Sequence, residues 1–135
     1  MALSVLVVDD EPAVLETMAA ILRSRKYRVM TAVDGLDALQ VLENTLPDLI
    51  LTDLTMPRMS GSELVSRVRE RFPEMPIVVF SGQYIELPPE IPADAFLQKG
   101  GYLMRDLFKT LEGLMAKRGN GFKPQTGASA AANTD

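Results

Sequence analysis

Residues 47–57 read Pro47-Asp48-Leu49-Ile50-Leu51-Thr52-Asp53-Leu54-Thr55-Met56-Pro57, an apolar run that ends on a single carboxylate and then breaks. Leu49, Ile50 and Leu51 follow one another without polar alternation, the pattern of a strand buried on both faces, and such strands belong to parallel sheets. In open parallel sheets the working residues sit just beyond the carboxyl ends of the strands. Asp53 stands at that place, ahead of a loop that prolines and a glycine keep out of regular structure. Taken alone, Asp53 reads equally well as a turn residue bonding its own backbone. The rest of the chain separates the two readings.

Upstream, residues 3–8 form a second apolar run, which delivers Asp9, Asp10 and Glu11 at its end. Three adjacent acids also suit a solvated loop or the start of a helix, where the dipole favours negative charge. Pro12 fits a first helical turn, and Val14, Leu15, Met18, Ile21 and Leu22 recur at helical spacing up to the basic residues Arg23, Arg25 and Lys26. Residues 28–32 are shorter and more polar, as an edge strand is. Asp34 can cap the next helix, whose apolar face is Leu36, Ala38, Leu39, Val41 and Leu42.

Downstream of Asp53, Ser60 and Glu63 have capping-box spacing and open a helix through Leu64, Val65, Val68 and Phe72. Ile77, Val78, Val79 and Phe80 are a further buried strand, ending on Ser81. Residues 95–99 make a short last strand that finishes on Lys99. The last helix carries Leu103, Met104, Leu107, Phe108, Leu111, Leu114 and Met115 on one core-facing side. Between residues 82 and 94, Pro88, Pro89 and Pro92 remove backbone donors and push their predecessors out of helical angles, so a loop or a single turn is expected there. Ile85, Leu87 and Ile91 should then cover part of the sheet.

The chain has 135 residues, 47% apolar and 24% charged, enough for one globular domain with a core of its own. Residues 1–118 are predicted to be that domain. Residues 119–135, with Phe122 as the one large apolar side chain, are predicted to be a disordered tail with no room for an effector domain. Cysteine and histidine are both absent, which excludes disulfides, thiolate or imidazole metal sites, and Ser-His-Asp catalysis. A net charge of -4 with no basic stripe argues against direct nucleic-acid binding. With no membrane-spanning run and no signal-peptide pattern, the expected location is cytoplasmic.

Strands and helices alternate along the chain, implying an α/β fold with a five-stranded parallel sheet and helices on both faces. All strand ends then share one edge, where Asp9, Asp10, Asp53, Ser81 and Lys99 meet. Gathered carboxylates repel one another, and an all-oxygen site favours Mg²⁺ or Mn²⁺. Asp53 can act as a nucleophile toward phosphorus while Lys99 neutralises phosphoryl oxygens and Ser81 donates its hydroxyl.

On these motifs, Val5 to Glu11, Asp53-Leu54-Thr55-Met56-Pro57, Ser81 and Phe96-Leu97-Gln98-Lys99, the chain resembles the CheY-like receiver domains of two-component response regulators over residues 3–118. The resemblance implies a flavodoxin-like, doubly wound sheet of order 2-1-3-4-5, with the fourth helix short or absent here. It implies a phosphoprotein in a two-component system or phosphorelay, taking a phosphoryl group on Asp53 from a sensor histidine kinase or phosphotransfer protein. It further implies Mg²⁺ held by Asp10, Asp53 and the backbone carbonyl of Thr55, with Asp9 acting through water. Ser81 and Phe96 would switch on phosphorylation in a monomer or weak dimer, and no enzyme activity beyond self-catalysed phosphorylation and dephosphorylation is expected.

The sequence departs from the family pattern in two places. Lys99 is followed by Gly100-Gly101 where a proline is usual, so the backbone after the lysine is not fixed. The stretch from Ser81 to Lys99 is also short and proline-rich. Two other readings stay open: a degenerate receiver that only binds partners, and a Mg²⁺-dependent phosphohydrolase with an aspartyl nucleophile. The second lacks an acid just after Asp53, where Leu54 and Thr55 stand.

Overall fold

The computed structural model describes residues 2–84, 86–99 and 103–119, with the backbone path alone for residues 103–105, 118 and 119. The expected disordered tail lies outside the described residues from residue 120 onward, as do Ile85, Gly100 and Gly101.

The elements follow the alternation read from the sequence. They are β1 (Ser4–Val8), α1 (Pro12–Ser24), β2 (Arg28–Ala32), α2 (Gly35–Asn44), β3 (Leu49–Asp53), α3 (Gly61–Arg71), β4 (Ile77–Ser81), β5 (Ala95–Gln98) and α4 (Leu103–Gly119). The five strands are parallel in the order β2-β1-β3-β4-β5, the flavodoxin-like doubly wound arrangement. β3 and β4 are buried throughout, as their unbroken apolar runs require, and the polar β2 lies at an edge.

Successive residues of a strand face opposite sides, so the sheet carries two cores. Leu6, Val8, Ile50, Ile77 and Val79 meet Ala38 and Leu42 of α2 and Leu64, Val65 and Val68 of α3. Val5, Val7, Leu49, Leu51, Val78 and Phe80 meet Met18 and Leu22 of α1 and Leu107, Phe108 and Leu111 of α4. Pro12 opens α1 at its first turn, and the side chains of Asp34 and Ser60 cap α2 and α3 by accepting from the Asp37 and Glu63 amides. Glu63 does not complete the capping box; its carboxylate pairs with Arg67 one turn on, at 3.0 Å.

No helix joins β4 to β5 among the described residues; the Ile91 amide donates to the Pro88 carbonyl, closing one turn. Leu87, Ile91 and Ala93 nevertheless pack on the α2/α3 side of the sheet, covering the surface a helix would cover. Arg69 of α3 holds this segment, donating to the carbonyls of Pro92, Pro73 and Met75 and to the Asp94 carboxylate at 2.8–3.0 Å. Asp94 in turn accepts from the Ile77 amide at the start of β4. No helix among the described residues is long and apolar enough to cross a membrane.

Candidate functional site

β1 and β3 are neighbours in register, so their carboxyl ends bring the turn after Val8 beside Asp53. Carboxylate oxygens of Asp9, Asp10 and Asp53 lie within 4.8 Å of one another, with Asp9 and Asp53 buried and Asp10 exposed. Like charges at such a separation repel by a few kcal/mol per pair at an effective dielectric of about 20. Among the described residues one ammonium answers them. Lys99, just past the end of β5, places Nζ 3.0 Å from Asp9 Oδ2, 3.5 Å from Asp53 Oδ2 and 3.7 Å from Glu11 Oε1. It also lies 4.9 Å from the centroid of the Phe80 ring, and its own amide donates to the Ser81 carbonyl at 2.9 Å.

The remaining bonds fix the acids individually. Asp9 Oδ1 accepts from the Glu11 amide at 2.8 Å, and Asp53 Oδ1 accepts from the Leu54 amide at 2.8 Å. Burial pushes the Asp53 carboxyl above the ordinary carboxylate range; the Lys99 charge opposes this and the Asp9 charge adds to it. For Lys99 burial works downward, but the hydrogen bond to Asp9 and the charges of Asp53, Asp9 and Glu11 outweigh it and leave the ammonium more basic than usual. Among the described residues, three carboxylates against one lysine leave an excess of negative charge. This all-oxygen donor set fits a hard divalent cation that keeps part of its hydration.

Ser81 ends β4, one residue beyond Phe80, the register partner of Asp53. Its buried hydroxyl accepts from the Gln83 and Tyr84 amides at 3.1 and 3.3 Å. Phe96 pairs with Val79 and packs, half-buried, on the α2/α3 side. Strand alternation thus divides the site: Lys99 lies over Phe80 and so on the α1/α4 side of the sheet, whereas Phe96 belongs to the other side. Thr55 is exposed, and its hydroxyl donates to Gln83 Oε1 at 3.0 Å.

Asp9, Asp10, Asp53, Ser81 and Lys99 therefore lie at one edge, the three acids close together and Lys99 in ion-pair range of Asp9 and Asp53, while Phe96 lies further back along the sheet at the level of Val79. Four others escaped the sequence reading. Gln83 ties the β4–β5 loop to Thr55, and Arg58 chelates Asp34 through Nε at 2.6 Å and Nη2 at 3.0 Å. Gly35 and Gly61 permit close approach: an added Cβ would meet Met59 Cγ at 2.6 Å at the first and overlap the Asp53 carbonyl oxygen at the second. A glycine next to the Ser60 cap was the one local signal for any of these.

Residues 5–100 match the family model described as response regulator receiver domain. The chain is 36% identical over 83 residues to the response regulator MprA of a Mycobacterium species (strain KMS), and 42% identical over 81 residues to hybrid signal transduction histidine kinase D of Dictyostelium discoideum. The matched stretches cover 62% and 58% of this chain but 36% and 5% of those proteins. Among solved structures it is similar to response regulator TrrA of Thermotoga maritima in complex with Mg(2+)-BeF, with a TM-score of 0.77 and 27% identity over 84% of this chain and 99% of that one. A CheY-like receiver domain protein from Methanospirillum hungatei gives a TM-score of 0.76 and 30% identity over 84% of this chain and 94% of that one. With the family model spanning most of the chain and the same sheet order in place, the chain belongs to the response regulator receiver domain family.

Proposed function

We propose that the protein is a cytoplasmic phosphoacceptor of two-component signalling, taking a phosphoryl group on Asp53 from a phosphohistidine of a sensor kinase or phosphotransfer protein. The observation that carries the reading is the Asp53 carboxylate, alone at the end of the central strand, with Lys99 Nζ 3.5 Å away and two further carboxylates beside it. An Asp53 oxygen forms the new P–O bond as the donor's P–N bond breaks; the imidazole leaves with the electron pair and takes up a proton. Lys99 sits where it can meet charge on the transferred phosphoryl group, and Ser81 offers a hydroxyl proton to another phosphoryl oxygen. Attack by water at phosphorus breaks the P–O bond to Asp53, releases inorganic phosphate and restores the carboxylate, and this self-catalysed cycle is the only chemistry proposed.

The acidic cluster fits Mg²⁺, with Asp10, Asp53 and the Thr55 carbonyl as ligands and Asp9 acting through water; Mn²⁺ would serve the same donors. When bound, the cation supplies positive charge to the phosphoryl oxygens. The magnesium and beryllofluoride bound by the Thermotoga relative support this assignment. Drawing Ser81 toward the phosphoryl group breaks its bonds to the Gln83 and Tyr84 amides, which moves the β4–β5 loop and lets Phe96 rotate. With a proline loop in place of a helix there, the protein signals as a monomer or weak dimer.

Incubation with acetyl phosphate and Mg²⁺ followed by intact mass tests the reading. A single labile adduct, absent from Asp53→Asn, is expected. No adduct would leave a partner-binding domain, and continuous turnover of the donor without a stable adduct would indicate a phosphohydrolase.

A further inference from the structure

Arg58 adopts φ 65, and the Met59 amide donates to the Pro57 carbonyl across it at 2.7 Å, a tight turn of the strained sense for an L-residue. Glycine would take this conformation freely, so the side chain at this position needs a reason. Its guanidinium makes two bonds to Asp34, whose carboxylate is buried and already caps α2 through the Asp37 amide at 2.9 Å. A paired guanidinium fork on a buried acid is not an ordinary surface ion pair, even though the Arg58 side chain is 57% exposed. Beside it the Gly35 amide donates to the Met59 carbonyl at 3.3 Å, and Met59 occupies the space a Gly35 side chain would need. At the base of the same loop the Gly61 amide donates to the Leu54 carbonyl at 2.7 Å.

We propose that Arg58 and Asp34 form a clip that positions the β3–α3 loop, residues 54–60, against the start of α2, and so sets the Thr55 carbonyl for the divalent cation. This rests on the reading of Asp9, Asp10 and Asp53 as a cation site. The loop is fastened at its base by Gly61 and at its far end by the clip, with Thr55 between the two. A ligand carbonyl on a fastened loop binds without an ordering cost, so releasing the clip weakens the cation without removing any ligand.

The test uses the full chain and two measurements on Arg58→Gly, which removes the clip while accepting the backbone angle. Titration with Mg²⁺, followed by amide resonances, is expected to give a dissociation constant raised about ten-fold, partly recovered in Arg58→Lys. Hydrogen exchange of the Met59 and Gly61 amides in metal-free protein is expected to quicken. Leu111→Ala, a buried change in the core on the other face of the sheet, should lower the melting temperature and leave both readings alone. Unchanged exchange in Arg58→Gly, a wild-type Mg²⁺ constant in that variant, or equal weakening in Leu111→Ala would overturn the clip. Failure of the wild-type chain to bind Mg²⁺ would overturn the cation site and its coupling to the clip, while the exchange result still decides whether Arg58 fastens the loop.

Discussion

Gly61 and Asp53 meet backbone to backbone: a Cβ on Gly61 would overlap the Asp53 carbonyl oxygen. The first turn of α3 therefore sets how far β3 carries its carboxylate. Gly61→Ala should force the two apart, costing about 3 kcal/mol by overpacking and impairing Asp53 phosphorylation. Gly113 of α4, with nothing within 4 Å of an added Cβ, gives the contrast. Gly113→Ala should stabilise by about 0.5–1 kcal/mol. Urea denaturation of both variants checks the pair, and equal changes would contradict it.

Asp9 and Asp10 are adjacent acids with opposite structural roles. Asp9 is fully buried and bonds Lys99, whereas Asp10 is exposed. Asp9→Ala should cost about 2 kcal/mol, less than breaking a fully buried pair because Glu11 and Asp53 remain near Lys99. Asp10→Ala should leave the metal-free protein as stable or up to about 1 kcal/mol more so, through relief of like-charge repulsion. In a Mg²⁺ titration the order reverses, with the larger loss for Asp10→Ala. A destabilised Asp10→Ala, or a greater loss of Mg²⁺ binding for Asp9→Ala, would contradict the assignment.

The hydrogen bond from Arg58 holds the Asp34 carboxyl below its ordinary value of 3.8, overcoming the opposing effect of burial. A carboxyl depressed on folding binds its proton more readily when unfolded, so its stabilisation is complete above the unfolded value and lost as pH falls through the folded one. The stability gap between wild type and Arg58→Ala should therefore hold at neutral pH and close in acid, below about pH 4. Melting temperatures over an acid series check this. A gap that persists until both proteins unfold would contradict it.

Arg69 is the anchor of the segment that stands in for a helix. Arg69→Ala leaves the Pro92 carbonyl and the Asp94 carboxylate without this donor and should cost about 2–3 kcal/mol. Limited proteolysis is expected to cut between residues 82 and 94 faster in this variant. Unchanged cleavage would show that apolar packing of Leu87 and Ile91 suffices.

The parts of the molecule legible in the sequence are those encoded locally. Unbroken apolar runs marked β1, β3 and β4, the caps at Asp34 and Ser60 announced their helices, and clustered prolines removed one helix. The acids, serine and lysine could be gathered on paper because parallel topology sends all strand ends to one edge. What stayed hidden joins side chains far apart in sequence with no periodic trace: Arg58 with Asp34 across 24 residues, Thr55 with Gln83 across 28, Arg69 with Asp94 across 25. Asp34 read as a cap alone because a cap is a local pattern, and its second partner is not.

The central claim is that Asp53 itself carries the phosphoryl group, and chemical trapping addresses it most directly. After reaction with acetyl phosphate and Mg²⁺, borohydride reduces an aspartyl phosphate to homoserine, which peptide mass mapping locates. Homoserine at position 53 alone, lost when chelator is present during labelling, is the expected result. Homoserine at Asp9 or Asp10, or undiminished labelling in excess chelator, would contradict the account.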